Sequence, residues 1–267
     1  MHVENLNKLE ADFRQKGIDF AQSGFYDHPR FVQAEQRDPS YIERYAEYVH
    51  ARVYDEEYLV RARPIIERAA AFIHREVKAD GRKGACIDAS MVLSRMLERV
   101  GIWCCFVKGS VRVDFPDGSG LEPYHFWSLT HPANPAKTGH AWLMAPPFRI
   151  VDVTLDLQPW SAQQLRHVPG PVLLESPTPA NYAPTDLMEP ELRLALGRVP
   201  TLSEVRQKVR NFPERFAVFG VRVSGTGLTY IATGVSAPDA PLELMGNLVL
   251  RGKLPHQLYA EFITLHG

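Results

Sequence analysis

The chain has 267 residues, 45% of them hydrophobic and 23% charged, with 30 basic against 31 acidic side chains and a net charge of −1. That length and apolar content suffice to bury one substantial core, and a near-neutral balance (pI about 6.8) without single-sign blocks excludes nucleic acid and an anionic membrane as obligatory partners. Three cysteines, two of them adjacent as Cys104-Cys105, make no disulfide framework, and ten histidines in no CxxC, HxxxH or HExxH spacing give no reason to expect a metal or other cofactor.

The N-terminal MHVENLNKLEADFRQKG has no apolar h-region, and no run reaches the ~18 apolar residues of a membrane span. Together with reduced thiols this reads as a soluble, cytoplasmic protein. Residues 1–50 read as polar and helical, with breaks at Ser23-Gly24 and Asp38-Pro39, where proline favours a helix start. Tyr41, Tyr45 and Tyr48 recur at helical spacing and, with Tyr54 and Tyr58, form an aromatic-rich region. A half-buried helix face with hydroxyls at its rim is expected there, in preference to a substrate platform. From Glu56 to Lys78, Leu59, Ile65, Ile66, Ala69, Phe72, Ile73 and Val77 describe an amphipathic helix that Pro64 should restart or kink.

That helix leads through the turn Asp80-Gly81-Arg82-Lys83-Gly84 into GACIDASMVLSRMLERVG, residues 84–101, on which the rest of the reading depends. Ala89, Val92, Leu93, Met96, Leu97 and Val100 form one apolar stripe, and Ser94, Arg95, Glu98 and Arg99 should point away from it. Cys86 opens this helix. A cysteine there meets unpaired backbone N–H groups and the positive end of the macrodipole, which favour thiolate. A cysteine on such a helix is more often a small buried hydrophobe; its position after Gly-x, with a histidine and an acid following in order, argues for a nucleophile.

Beyond Gly101, short strands are expected over 102–107, 111–115, 126–130, 140–144 and 148–155, forming an antiparallel sheet against the Cys86 helix. Helices first and strands after argue for an α+β fold. Cys104 and Cys105 should face opposite ways on the first strand, one in the core and one a bystander. His140 and Asp152 flank Ala145-Pro146-Pro147. With an odd-length loop they would stand directly opposed on one face of a hairpin, sharing it with Trp142, Met144, Thr154 and Asp156, while Val151, Val153 and Leu155 packed behind. A two-residue Pro-Pro loop would turn the histidine and the acid to opposite faces.

Gly84-x-Cys86-x-Asp88-Ala89, the apolar helix ending at Gly101-Ile102, Val107-Lys108-Gly109, His140-Ala141-Trp142 and Asp152-Val153-Thr154 resemble the core of the transglutaminase-like cysteine enzymes, part of the papain-like group, over residues 81–155. The resemblance implies a papain/transglutaminase-like core whose central helix bears the nucleophile. It further implies that Cys86 attacks an amide or related acyl carbonyl of a peptide, protein or small molecule, that His140 shuttles the proton, that Asp152 orients His140, and that a thioester forms on Cys86. The Cys86 N–H is one natural oxyanion donor. No glutamine lies close upstream to be the second, and Trp103, Tyr124, His125 and Trp127 are the candidates, with Trp142 a further substrate contact beside His140. Two alternatives stand beside this: an arylamine N-acetyltransferase type with the same triad order, and a catalytically idle peptide-binding module.

The remaining chain is read as appended. Residues 161–200 are a Pro-rich packed arm after a helical and catalytic part over 1–160, and 201–267 are a small α+β extension. In the extension, Thr201-x-x-Glu204 is a capping box, 216–223 and 228–235 make a hairpin about Ser224-Gly225-Thr226-Gly227, and 258–265 should be a last strand. Arg198, Arg206, Lys208, Arg210 and Arg215 form the chain's basic concentration, a solvated face or a contact for an acidic substrate or partner. Oligomeric state is not set by these residues.

Overall fold

A computed structural model describes residues 2–132, 139–246 and 249–266 and shows an α+β fold, helices followed by a curled antiparallel sheet. Helices α1 (His2–Gln15), α2 (Pro29–Arg37), α3 (Ile42–Ala51), α4 (Glu56–Asp80) and α5 (Cys86–Arg99) come first. Local chemistry sets their ends. The His28 and Asp55 side chains cap α2 and α4, and Pro29 supplies the ready-made φ of a first helical residue. No new helix starts at Pro64: α4 runs through it as one helix. The carbonyl that proline leaves unbonded belongs to Val60, which is 57% exposed, so water can take its place.

The tyrosines lie deeper than a rim. Tyr41, Tyr45 and Tyr48 are buried in an aromatic cluster with Phe13, Phe25 and Phe31, and the Tyr45 hydroxyl donates to Cys104 O at 3.0 Å while accepting from Gly24 N at 2.9 Å. The polar side of α5 is also mostly covered. Ser94 and Arg95 are buried, and Arg95 bonds Asp27, Pro238 O (2.9 Å) and Ala240 O (3.1 Å). The helix is enclosed by the sheet, α4 and the 238–240 segment, which amphipathic periodicity on α5 alone does not reveal.

The strands are β1 (Cys105–Asp114), β2 (Tyr124–Phe126), β3 (His140–Ala145), β4 (Phe148–Asp152), β5 (Val172–Leu174), β6 (Thr178–Pro179), β7 (Val218–Val223) and β8 (Thr226–Ser236). They form one sheet in the order β5-β4-β3-β1-β8-β7-β6, with β2 also on β1. Where two strands were expected over 102–115, β1 is continuous. Its midpoint, Gly109, allows this: a Cβ there would lie 2.2 Å from Ile231 O and 2.5 Å from Trp142 Cη2. Only a residue without a side chain lets β8 and the indole close on the strand.

Alternation sends Trp142, Met144 and Ile150 to the aromatic side of the sheet, and Ala141, Leu143 and Val151 to the side covered by α4 and α5. Cys104 and Cys105 do divide between the two sides, but neither is a bystander. Both are buried, and burial pushes the Cys104 thiol well up and the Cys105 thiol up to about 12.

The Pro-rich stretch holds α6 (Ala162–Leu165), β5, β6, α7 (Pro184–Leu187) and α8 (Pro190–Ala195), with Val172, Leu187 and Met188 buried. It is followed by α9 (Leu202–Lys208), opened by the Thr201–Glu204 capping box, and α10 (Phe212–Phe216). Ser224-Gly225 turns β7 into β8, which lies between β1 and β7, so the stretch read as an extension supplies a central strand. The strand expected over 258–265 is instead part of helix α11 (Pro255–His266). Leu258 and Phe262, four apart, are its buried face, and Phe262 meets Phe72 of α4 at 5.7 Å. Among the described residues, no helix is long and apolar enough to cross a membrane.

Candidate active site

Gly84 adopts φ +70°, a left-handed turn that ordinary residues avoid, and its N–H bonds Leu157 O at 3.2 Å. The next residue, Ala85, is the N-cap of α5 and brings no capping side chain. Cys86 is therefore the first helical residue, with its own N–H among those a helix leaves unpaired. It is 8% exposed and lines a cleft of about 740 Å³.

His140 begins β3 and Asp152 ends β4. The two-residue Pro146-Pro147 turn that should have parted them is present, since Ala145 pairs with Phe148. A bulge then corrects the register: Leu143 pairs with Val151, so two residues of β3 are matched by three of β4. The shift of one residue flips the end of β4 and returns Asp152 to the face of His140, diagonally across the pair and not directly opposite as expected. His140 Nε2 and Asp152 Oδ2 are 2.7 Å apart, with both side chains fully buried.

Two further donors hold the carboxylate. The Tyr230 hydroxyl, from β8, donates to Oδ2 at 3.0 Å, and the Thr154 N–H donates to Oδ1 at 3.0 Å. Asp156 and Leu155 do not fall where strand alternation put them, because β4 stops at Asp152 and a 3-10 turn over Leu155–Leu157 follows. Asp156 instead meets His74 of α4 at 3.1 Å, and Leu155 joins the aromatic side.

Burial alone would lower the His140 imidazole. The adjacent Asp152 carboxylate, by charge and hydrogen bond, and then the Cys86 side chain outweigh it and push His140 up to about 10. Nδ1 is buried and makes no hydrogen bond of ordinary geometry. The Cys86 side chain is among the groups that act on the ring, and both residues line the same cleft. With Nε2–H donated to Asp152, Nδ1 is the nitrogen that gains the second proton below about pH 10 and carries the lone pair when the ring is neutral.

The five flanking candidates divide. Tyr124, His125 and Trp127 line the cleft; Trp103 and Trp142 do not. Trp103 is buried in the N-terminal aromatic cluster under Arg52, whose guanidinium carbon is 4.4 Å from the ring centroid. Trp142 is buried beneath His140 and against Tyr230, at 6.5 and 5.2 Å between centroids, where it supports the imidazole from behind. The Trp127 indole N–H already donates to Thr185 O (2.8 Å), and His125, stacked on Trp127, bonds Asp186 at 3.1 Å. The Pro-rich arm thus braces that wall through α7.

Sequence reading missed two residues. Tyr230 reaches Asp152 from 78 positions away, for which no local pattern exists. Gln158 lines the same cleft as Cys86 and follows Leu157, whose carbonyl the Gly84 N–H bonds, with one Gln158 amide N–H donated to Thr154 O at 3.0 Å and a second remaining. A glutamine was sought upstream of the cysteine, and this one arrives from downstream. Among the described residues, no group of three His, Cys, Asp or Glu is arranged to hold a metal ion. No protein-family model, curated protein or solved structure matches the chain.

Proposed function

We propose that the chain is a transglutaminase-like cysteine enzyme that transfers or hydrolyses an acyl group of an amide through Cys86, His140 and Asp152. The observation that carries this is the buried His140 Nε2–Asp152 pair, with Nδ1 left without a partner, in a cleft that a cysteine beginning a helix also lines. In this reading the Cys86 proton passes to His140 Nδ1 and the thiolate adds to the carbonyl carbon. The oxyanion is met by the Cys86 N–H, with the spare amide N–H of Gln158 as second donor. The imidazolium returns its proton to the leaving amine as the C–N bond breaks, leaving a thioester. Water or an incoming amine, deprotonated by His140, then releases the acyl group. Asp152 is a positioning residue: it holds the tautomer that presents a lone pair to the sulfur.

The test is the rate of Cys86 alkylation against pH, read by intact mass, for wild type and His140→Ala. Reaction of wild type well below pH 7, lost in the variant, is expected of a thiolate–imidazolium pair. If both follow a free thiol near pH 8.5, the triad reading fails and an idle binding module gains ground. A Cys86-dependent mass gain of one acetyl group on mixing with acetyl-CoA would turn the reading toward the N-acetyltransferase type.

A further inference from the structure

The cleft around Cys86 carries unbalanced charge. Glu43 is the carboxylate among its described lining residues, and it is already paired with Arg210 and with Arg215, whose Nη1 lies 2.6 Å from Oε2. The rest of the basic concentration is matched in the same way, Arg198 with Glu204 and Arg206 with Glu214. Lys208, at the end of α9, is the exception among the described residues. It is exposed, lines the cleft and makes no ion pair with a described carboxylate. Lys108, on β1 and also exposed at the cleft, is in the same position. Two hydroxyls line the cleft with them: Thr233 Oγ1 donates to Ser128 Oγ at 2.9 Å, and Ser128 Oγ lies 2.9 Å from Ser110 Oγ.

Two cations without counter-charge in a concave site raise the local concentration of anions and offer charge-assisted hydrogen bonds to an oxyanion. A volume of about 740 Å³ suits a small molecule or a short peptide segment. We infer that the acyl donor bound beside Cys86 carries a carboxylate or comparable anionic group, held by Lys108 and Lys208 with the Ser128 hydroxyl as a further donor. This rests on the acyl-transfer reading, and it separates that reading's substrate class from neutral amides such as an unsubstituted glutamine side chain.

The experiment uses two thiol reagents that differ in one charge. Cys86 of the full chain is alkylated by iodoacetate and by iodoacetamide, followed by intact mass, in wild type, Lys108→Gln, Lys208→Gln and the double variant, with Cys86→Ser to confirm the labelled site. The iodoacetate-to-iodoacetamide rate ratio should exceed that of a small free thiol such as reduced glutathione. It should fall about twofold with each lysine removed, and fall again as salt rises from low to about 0.5 M. A ratio like that of the free thiol and indifferent to both lysines overturns the inference. Because a ratio does not depend on absolute reactivity, the two readings fail separately. A sluggish Cys86 whose ratio still depends on the lysines would leave the anion site standing and remove the triad. A fast Cys86 with an indifferent ratio would do the reverse.

Discussion

Replacing Asp152 by asparagine keeps the shape of the buried site and removes one charge. His140 stands at about 10 against an ordinary 6.5, which at about 1.4 kcal/mol per unit is about 5 kcal/mol of preference for the imidazolium. Opposite unit charges about 4 Å apart at an effective dielectric near 20 attract by about 4 kcal/mol, so the carboxylate and its 2.7 Å hydrogen bond account for most of that preference against the opposing effect of burial. In Asp152→Asn burial acts nearly unopposed, and His140 should titrate below 6.5, as followed by its imidazole carbon-bound proton in NMR. Cys86 then loses its cation. A thiol with pKa about 8.5 is only about 0.3% thiolate at pH 6, so alkylation there should fall about a hundredfold or more.

Stability supplies a second readout of the same variant. Between pH 6.5 and about 10 native His140 binds a proton that the unfolded chain has released, so this contribution is full below pH 6.5 and is lost as pH rises toward 10. Up to the free-thiol range near 8.5 the proton His140 gains is offset by the one Cys86 gives up, so the difference in urea-unfolding free energy between wild type and Asp152→Asn should shrink in the upper part of that window, from about 8.5 to about 10. If His140 of the variant still titrates near 10, or the difference is flat with pH, Asp152 is not what raises the imidazole.

Other substitutions probe the surroundings. Tyr230→Phe removes one donor from the Asp152 carboxylate and should cost about 1–3 kcal/mol in urea unfolding, with slower Cys86 alkylation at pH 6. Gly109→Ala places a Cβ against backbone of β8 and the ring of Trp142; a loss of about 1–3 kcal/mol or more is expected, read as a lower melting temperature. Arg95→Ala strips the cation from Glu98, whose carboxyl burial has already raised to about 7 despite Arg95. Urea unfolding should show a loss of about 3–5 kcal/mol, and an unchanged midpoint would mean the buried pair is not coupled to folding.

Local chemistry was legible along the chain. The Cys86 helix, its Gly-bounded entrance, the α+β order, the capping box at Thr201 and the hairpin about Ser224-Gly225 each follow from residues within a turn or two of one another. Such features depend on backbone φ, capping and short-range periodicity, which sequence states directly. By contrast, α11 was misread because a short apolar run permits both a strand and a helix, and only the buried Leu258 and Phe262 against α4 decide between them. The His140–Asp152 contact shows the limit most clearly. The turn that was expected to part the two residues is there, and one extra residue in β4 reverses its effect. A bulge leaves no mark in composition or spacing, yet it changes which face every later side chain occupies. Tyr230, Gln158 and the two lysines of the cleft reach the site only because β8 enters the middle of the sheet, Leu157 docks on Gly84, and the end of α9 lines the same cleft as β1. Contacts across such separations are set by which elements share a surface, and that is a property of the packed chain.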